Sequence, residues 1–279
     1  HTSALQYTEH VDHYIETELS HGAMHGPFAI MPFTWTMSSP LMTREKRGSD
    51  KRRVIVDLSY PPGHSVNDGI SCDSYLGEPY KLCLPSPLHM RDAIQQAGPG
   101  CYMWSKDLRR GYRQLRCCPL DYPLLGIRWK GMWYIDLAVC FGIRVGAKCM
   151  QNTTSAVSTI YMHSEGHHVL NYIDDFAGCH ASYEEANRAY GRCGQLLAEL
   201  GLVEATDKQV APSTTIVWLG VEFSSTTMLM RIPQHKIDEA IQGATQWQHR
   251  TTCTRSQLLA GKLFHIASVT QAVDSPIPS

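Results

Sequence analysis

The sequence predicts an α+β fold through about residue 232 and helices alone beyond it. Three observations carry this: paired apolar runs separated by turn residues, helices marked by capping residues, and Pro233, which breaks the last strand pairing. The 279 residues suffice for a sizeable core without disulfides or a structural metal. With 43% hydrophobic and 18% charged residues, the chain is neither disordered nor fibrous. No internal repeat stands out, which excludes a solenoid or propeller.

Val11, Tyr14, Ile15 and Leu19 recur at helical spacing, and Gly22 can end that helix. Residues 27–43, rich in Pro, Met and aromatics, read as irregular or extended. A basic stretch from Arg44 runs through Arg53 into Val54-Ile55-Val56, a β-branched strand ended by Asp57 and the turn Pro61-Pro62-Gly63. Residues 60–100 read mostly as loop, with one short helix around Met90–Gln96. Leu124–Trp129 and Met132–Leu137 flank Lys130-Gly131 as a hairpin. Residues 147–162 read as a helix with Ala147, Met150, Val157 and Ile160 on or near one face.

Val169–Ile173 is a compact strand, Asp174-Asp175 the tip of a hairpin, and Phe176 opens the returning strand. Ser182 and Glu185 form a capping box for a helix through Ala186, Ala189, Tyr190, Cys193, Leu196, Leu197 and Leu200, closed by Gly201. Ile216–Phe223 and Met228–Ile232 read as another hairpin. Two helices follow: one with Ile237, Ile241 and Ala244 facing one way, and one capped by Thr254 and Gln257 that carries Leu258, Leu259, Leu263 and Ile266.

Lys+Arg 25 against Asp+Glu 26 leaves a net charge of −1, so any case for nucleic acid must come from local clustering. Ten cysteines with no CxxC pair read as reduced, mostly buried thiols of an intracellular protein, in the cytoplasm or nucleus. No apolar run reaches the roughly 18 residues of a membrane span, so no membrane partner is expected. His163, His167 and His168 with Cys179-His180 fit no common zinc spacing and read as exposed helix-end histidines.

The chemistry concentrates in carboxylates. Asp107 follows the apolar run Tyr102-Met103-Trp104, and Asp174-Asp175 follows Tyr172-Ile173. Acids at such places can be solvated turn residues, since Asp favours turns. They can also converge, in which case divalent cations neutralise their repulsion. Hard oxygen ligands suit Mg²⁺, and a two-ion site stabilises the attacking and leaving oxygens of an in-line phosphoryl displacement.

Here the residues carry a resemblance. Tyr172-Ile173-Asp174-Asp175 resembles the Tyr-x-Asp-Asp box of reverse transcriptases, and Asp107 through Tyr112 resembles their first palm motif. Phe141-Gly142, with Gln151 further on, is similar to the motif that helps hold template and incoming nucleotide. Trp218-Leu219-Gly220 resembles the primer-grip hairpin, Lys208 falls at the motif-D lysine, and Arg53 through Asp57 is similar to a fingers strand. Order and spacing match over about residues 44–232. The run Asp57–Asn67 resembles DIRS-type retrotransposons, and Phe141 is similar to what long-terminal-repeat and DIRS retroelements use.

The resemblance implies a right-hand polymerase. Residues 1–100 would form the N-terminal helix and fingers, 101–232 a palm with an antiparallel sheet and an interleaved fingers segment at about 113–165, and 233–279 a truncated helical thumb. It implies an RNA-directed DNA polymerase that extends a primer 3′-hydroxyl with dNTPs on an RNA or DNA template. Two Mg²⁺ ions, replaceable by Mn²⁺, would be held by Asp107 and Asp174, with Asp175 weaker. Tyr112 would screen out the 2′-hydroxyl or serve as a core tyrosine beside Leu108 and Leu115. Arg53 and Lys46 would take the triphosphate or belong to a solvated basic loop. Lys208 would protonate pyrophosphate or be an exposed loop lysine. Some of Lys106, Arg109, Arg110, Arg113 and Arg116 would face the nucleic-acid backbone. An RNase H segment is expected further along the same polypeptide.

The chain departs from the family at Val139-Cys140, where Leu-Pro is usual, at Gly146-Ala147, where Ala-Pro is usual, and at Gly111, where Ala is commoner. These departures support an alternative: a catalytically inactive polymerase-like domain that binds nucleic acid, from a decayed or co-opted element. A metal phosphohydrolase unrelated to polymerases would leave Trp218-Leu219-Gly220 unexplained.

Overall fold

The computed structural model describes residues 1–45 and 52–247. Lys46 and the last helix, with Thr254 and Gln257, lie outside the described residues, as does Cys253. In chain order the elements begin with helices α1 (Thr2–Gln6) and α2 (Thr8–Ser20) and strands β1 (Met24–Phe28), β2 (Leu41–Glu45) and β3 (Arg52–Val56). Strands β4 (Ser74–Tyr75) and β5 (Glu78–Pro79), helix α3 (Pro87–Ala97) and strand β6 (Tyr102–Asp107) come next. Then follow β7 (Gly126–Trp129), β8 (Met132–Asp136), α4 (Gly146–Glu165), β9 (Leu170–Tyr172) and β10 (Asp175–His180). The last are α5 (Tyr183–Glu199), β11 (Val210–Ser213), β12 (Thr215–Trp218), β13 (Val221–Ser224), β14 (Leu229–Arg231) and α6 (Gln234–Trp247). The α+β expectation agrees with this mixed content.

The chain divides into two units, His1–Cys83 with Arg110–Thr153, and Leu84–Arg109 with Thr154 onward. In the first, β1, β8 and β7 form an antiparallel sheet and β2 pairs with β3. Val11 and Ile15 of α2 are buried in a core with Met24, Leu41, Val56 and Ile127, as their helical spacing requires. Lys130 and Gly131 both take positive φ, the backbone that a two-residue β7–β8 hairpin prefers.

A charged knot sits inside this unit. Arg113 Nη2 lies 2.7 Å from Glu18 and 2.8 Å from Asp136, and Arg110 lies 2.5 Å from Glu18. Arg113 Nη1 also donates to the Ala138 carbonyl at 3.1 Å. Two arginines thus balance two buried acids, the arrangement in which buried charge is tolerated.

In the second unit the sheet order is β11-β6-β10-β9, all antiparallel, and β12-β13-β14 form a separate meander. Side chains of β6 alternate: Trp104 and Lys106 meet Tyr190 of α5, whereas Met103 joins the core of Met90, Ile94, Ala177 and Phe223. Gly178 of β10 lies opposite Trp104, and a Cβ there would stand 2.4 Å from the indole, so only glycine fits beneath that ring. Ser182 Oγ accepts the Glu185 N–H at 3.2 Å and caps α5.

Several sequence expectations shift. On α4 the buried face is Met150, Thr154, Val157 and Tyr161, while Ile160 is exposed, because Tyr161 continues the 3.6-residue stripe and Ile160 falls beside it. On α6 Ala240 is buried and Ile241 exposed. Ile216–Phe223 is two strands rather than one, turning at Leu219 and Gly220, both at positive φ. Residues 60–100 also hold the small β4–β5 hairpin. Cys72, Cys83 and Cys118 are exposed, and the described cysteines are free thiols. No helix among the described residues is long and apolar enough to cross a membrane.

Candidate active site

The antiparallel register of β6 and β10 sets Asp107 directly opposite Asp175. Directly paired residues project to the same face of a sheet, so the two carboxyl groups stand side by side at its end. Tyr172 pairs with Asp175, which makes Ile173-Asp174 the tip of the hairpin instead of Asp174-Asp175. The one-residue difference matters, because Asp175 belongs to the strand while Asp174 belongs to the turn. Ile173 carries a positive φ of 55°, costly for a β-branched residue, and Thr154 Oγ1 holds its carbonyl at 2.7 Å. The Asp174 carbonyl accepts the Leu108 N–H at 3.1 Å, tying the turn to the residue after Asp107.

The acids strain one another electrostatically. Burial, then the neighbouring Asp107 and Asp174, push the Asp175 carboxyl up to about 7, and it shares a hydrogen bond with Asp107. Asp174 is raised as well, by burial first and Asp107 second. Lys208 supplies a counter-charge: its Nζ lies 2.5 Å from Asp107, a contact that raises the lysine's own value. Lys208, exposed on its loop, is therefore an ion-pair partner of the acid cluster.

Its loop is anchored from below. Ala205 N–H donates to the Asp107 carbonyl at 2.7 Å and Lys208 N–H to the Ala205 carbonyl at 3.0 Å. Buried Lys106 bonds Glu204 at 2.7 Å and sits 3.8 Å from the Tyr190 ring centre, while the Tyr190 hydroxyl donates to Gln209 at 2.5 Å. Gln209 in turn bonds Glu204. Sequence reading missed Glu204, Gln209 and Tyr190; the alternation of Lys106 with Asp107 along one strand was the available signal.

An oxygen-only donor set with more negative than positive charge fits hard divalent cations. The acids are not, however, gathered into a ready ligand cluster: among the described residues, no three His, Cys, Asp or Glu side chains could hold a metal as they stand. Asp107 and Asp175 form the pair, and Asp174 flanks it from the turn.

The other predicted residues distribute as follows. Trp218 is buried in the core of the meander, and Leu219-Gly220 forms its half-buried turn. In the first unit, Tyr112 stands in a 3₁₀ turn, its ring centre 4.8 Å from that of Phe141. Phe141 is 58% exposed and Gly142 takes a φ of 99°. Arg53 is exposed on β3 opposite Arg44, whereas its neighbour Arg52 bonds Glu45 and lies 3.6 Å from the Tyr7 ring. Of the basic residues in and after β6, Lys106 is buried, Arg110 and Arg113 are half-buried, and Arg109 and Arg116 are exposed. Lys106 pairs with Glu204, Arg110 and Arg113 with Glu18, and Arg116 bonds the Gly22 carbonyl. Acids elsewhere in the chain thus pair with Lys106, Arg110 and Arg113, whereas Arg116 bonds a carbonyl.

No protein-family profile and no curated protein sequence matches the chain. Solved structures do. A foamy viral protease-reverse transcriptase in complex with double-stranded DNA matches with TM-score 0.66 at 14% identity, over 91% of this chain and 39% of that one. A foamy viral protease-reverse transcriptase in complex with an RNA/DNA hybrid matches at 0.63 and 13%, over 90% and 30%. The native Prototype Foamy Virus protease-reverse transcriptase matches at 0.55 and 18%, over 93% and 33%.

The fold is reverse-transcriptase-like. The chain spans less than half the length of each of these proteins. At such identities the likeness concerns the reverse-transcriptase fold alone, and chemistry must be argued from the side chains.

Proposed function

We propose that this chain is the RNA-directed DNA polymerase domain of a retroelement, most like the DIRS type. The carrying observation is Asp107 opposite Asp175 with Asp174 on the adjoining turn, an acid cluster short of positive charge in a reverse-transcriptase-like fold. In this reading residues 1–100 supply the N-terminal helix and fingers, 101–232 the palm with the interleaved segment at about 113–165, and 233–279 the thumb.

Asp107 and Asp174 would hold two Mg²⁺ ions, with Asp175 as the weaker ligand. When bound, the ions would acidify the primer 3′-hydroxyl and neutralise charge at the α-phosphate. The primer oxygen bonds the α-phosphorus as its bond to pyrophosphate breaks. Lys208 carries a proton on Nζ for that leaving group. Tyr112, backed by Phe141, excludes a ribose 2′-hydroxyl by shape. Arg53 and Lys46 take the triphosphate oxygens, Gly142 allows close approach of the nucleotide, and Leu219-Gly220 guides the primer over the Trp218 core. Partners are an RNA or DNA template with primer, dNTPs and an RNase H domain of the same polypeptide.

A second reading, a silent nucleic-acid-binding domain, is favoured by the unassembled metal donors and the Lys208–Asp107 ion pair. Primer extension on RNA and DNA templates separates the two. The polymerase reading expects extension that needs a divalent metal and disappears in Asp174→Asn. Extension retained in that variant removes the proposed chemistry, and salt-sensitive binding without incorporation favours the silent domain.

A further inference from the structure

Asn67, the last residue of the stretch Asp57–Asn67, is buried in the first unit, only 5% exposed. The Asn67 amide is fully used. Its Nδ2 donates to the Gly142 carbonyl at 2.8 Å and to Ser59 Oγ at 2.8 Å, and its Oδ1 accepts the Arg144 N–H at 2.8 Å. Its own N–H donates to the Leu58 carbonyl at 2.9 Å. One side chain thus bridges the end of the β3 segment to both sides of Ile143, across 75 residues of sequence. Arg144 adds a second tie, from Nη1 to the Ile70 carbonyl at 2.5 Å.

The clamped loop begins with Phe141, which is mostly exposed yet lies against Tyr112. An exposed aromatic has little burial to hold it, so its position must come from its backbone. The backbone here is of the kind that needs holding: Gly142 has a φ of 99°, and neither Val139-Cys140 nor Gly146-Ala147 supplies a proline to stiffen it. We propose that Asn67 is a positioning residue of the nucleotide pocket, the device that sets Phe141 against Tyr112. This rests on the polymerase reading for its ligand, though not for the clamp.

Asn67→Asp keeps shape and the acceptor for Arg144 while turning a carboxylate oxygen on the Gly142 carbonyl. In single-dNTP incorporation by the full chain, KM for dNTP should rise about tenfold with kcat within about twofold, as for lost ground-state binding. Discrimination against rNTP should fall, and KM for primer–template should stay put. A folded Asn67→Asp protein with unchanged dNTP KM and unchanged discrimination overturns the assignment. Amide hydrogen exchange keeps the clamp testable by itself. In Asn67→Ala, residues 141–146 should exchange at least about tenfold faster while the β6 and β10 amides keep their protection. If the wild-type chain incorporates nothing, the polymerase reading fails and the pocket role with it. Unchanged exchange in Asn67→Ala overturns the clamp whatever the activity.

Discussion

Two acid clusters in this molecule are built alike and balanced differently. In the first unit, Glu18 and Asp136 are met by Arg110 and Arg113, and nothing is left over. In the second, Asp107, Asp174 and Asp175 share Lys208, and two of them are held above their ordinary range by burial and by one another. A neutral buried cluster has no use for a ligand. A cluster with surplus negative charge, in a reverse-transcriptase-like fold, stores the repulsion that a cation relieves.

The sharpest way to break the comparison is at Arg113. Arg113→Ala strands the buried Asp136 carboxylate and leaves Glu18 with Arg110 alone, and should cost about 3–5 kcal/mol in urea unfolding; a loss below about 1 kcal/mol would show that the knot is no structural keystone. Next, Gly178→Ala drives a methyl into the Trp104 ring and should cost about 1–3 kcal/mol, read by the same unfolding experiment.

The unbalanced cluster should respond in the opposite sense. Asp175→Asn removes a group that the fold holds up to about 7 from an ordinary 3.8. A raised carboxyl makes the folded state bind a proton that the unfolded state releases. Its favourable contribution is complete below about pH 4 and is lost as pH rises to about 7. In metal-free buffer the variant should therefore melt about 2–4 °C above wild type at pH 8 and near it at pH 4. A gap that is constant with pH would contradict the assigned repulsion. The smallest effect is expected at Tyr190→Phe, which removes one hydrogen bond to Gln209 and should cost about 1 kcal/mol, with slower incorporation through a loosened Lys208 loop.

Much of this is legible in the sequence. Helix faces such as Val11 and Ile15, the Ser182 cap and the Lys130-Gly131 turn are local signals, and local signals survive into the fold. Asp107 and Asp174-Asp175 were identifiable because acids after apolar strands are costly unless something meets them. What sequence could not show was pairing at a distance. The hairpin tip moved by one residue because register is decided across strands. Arg110, Arg113 and Lys106 looked available for nucleic acid because Glu18, Asp136 and Glu204 are far away in sequence. Asn67 stayed silent for the same reason, since its partners Gly142 and Arg144 lie more than half a unit further along the chain.

The central claim is that the surplus of acid in the second unit exists to hold divalent ions. Mn²⁺ uptake followed by electron paramagnetic resonance, with primer–template and a dNTP present, tests it directly. Wild type should take up two ions per chain, and Asp107→Asn should lose that uptake over the same concentration range. Equal uptake by the two proteins would contradict the account.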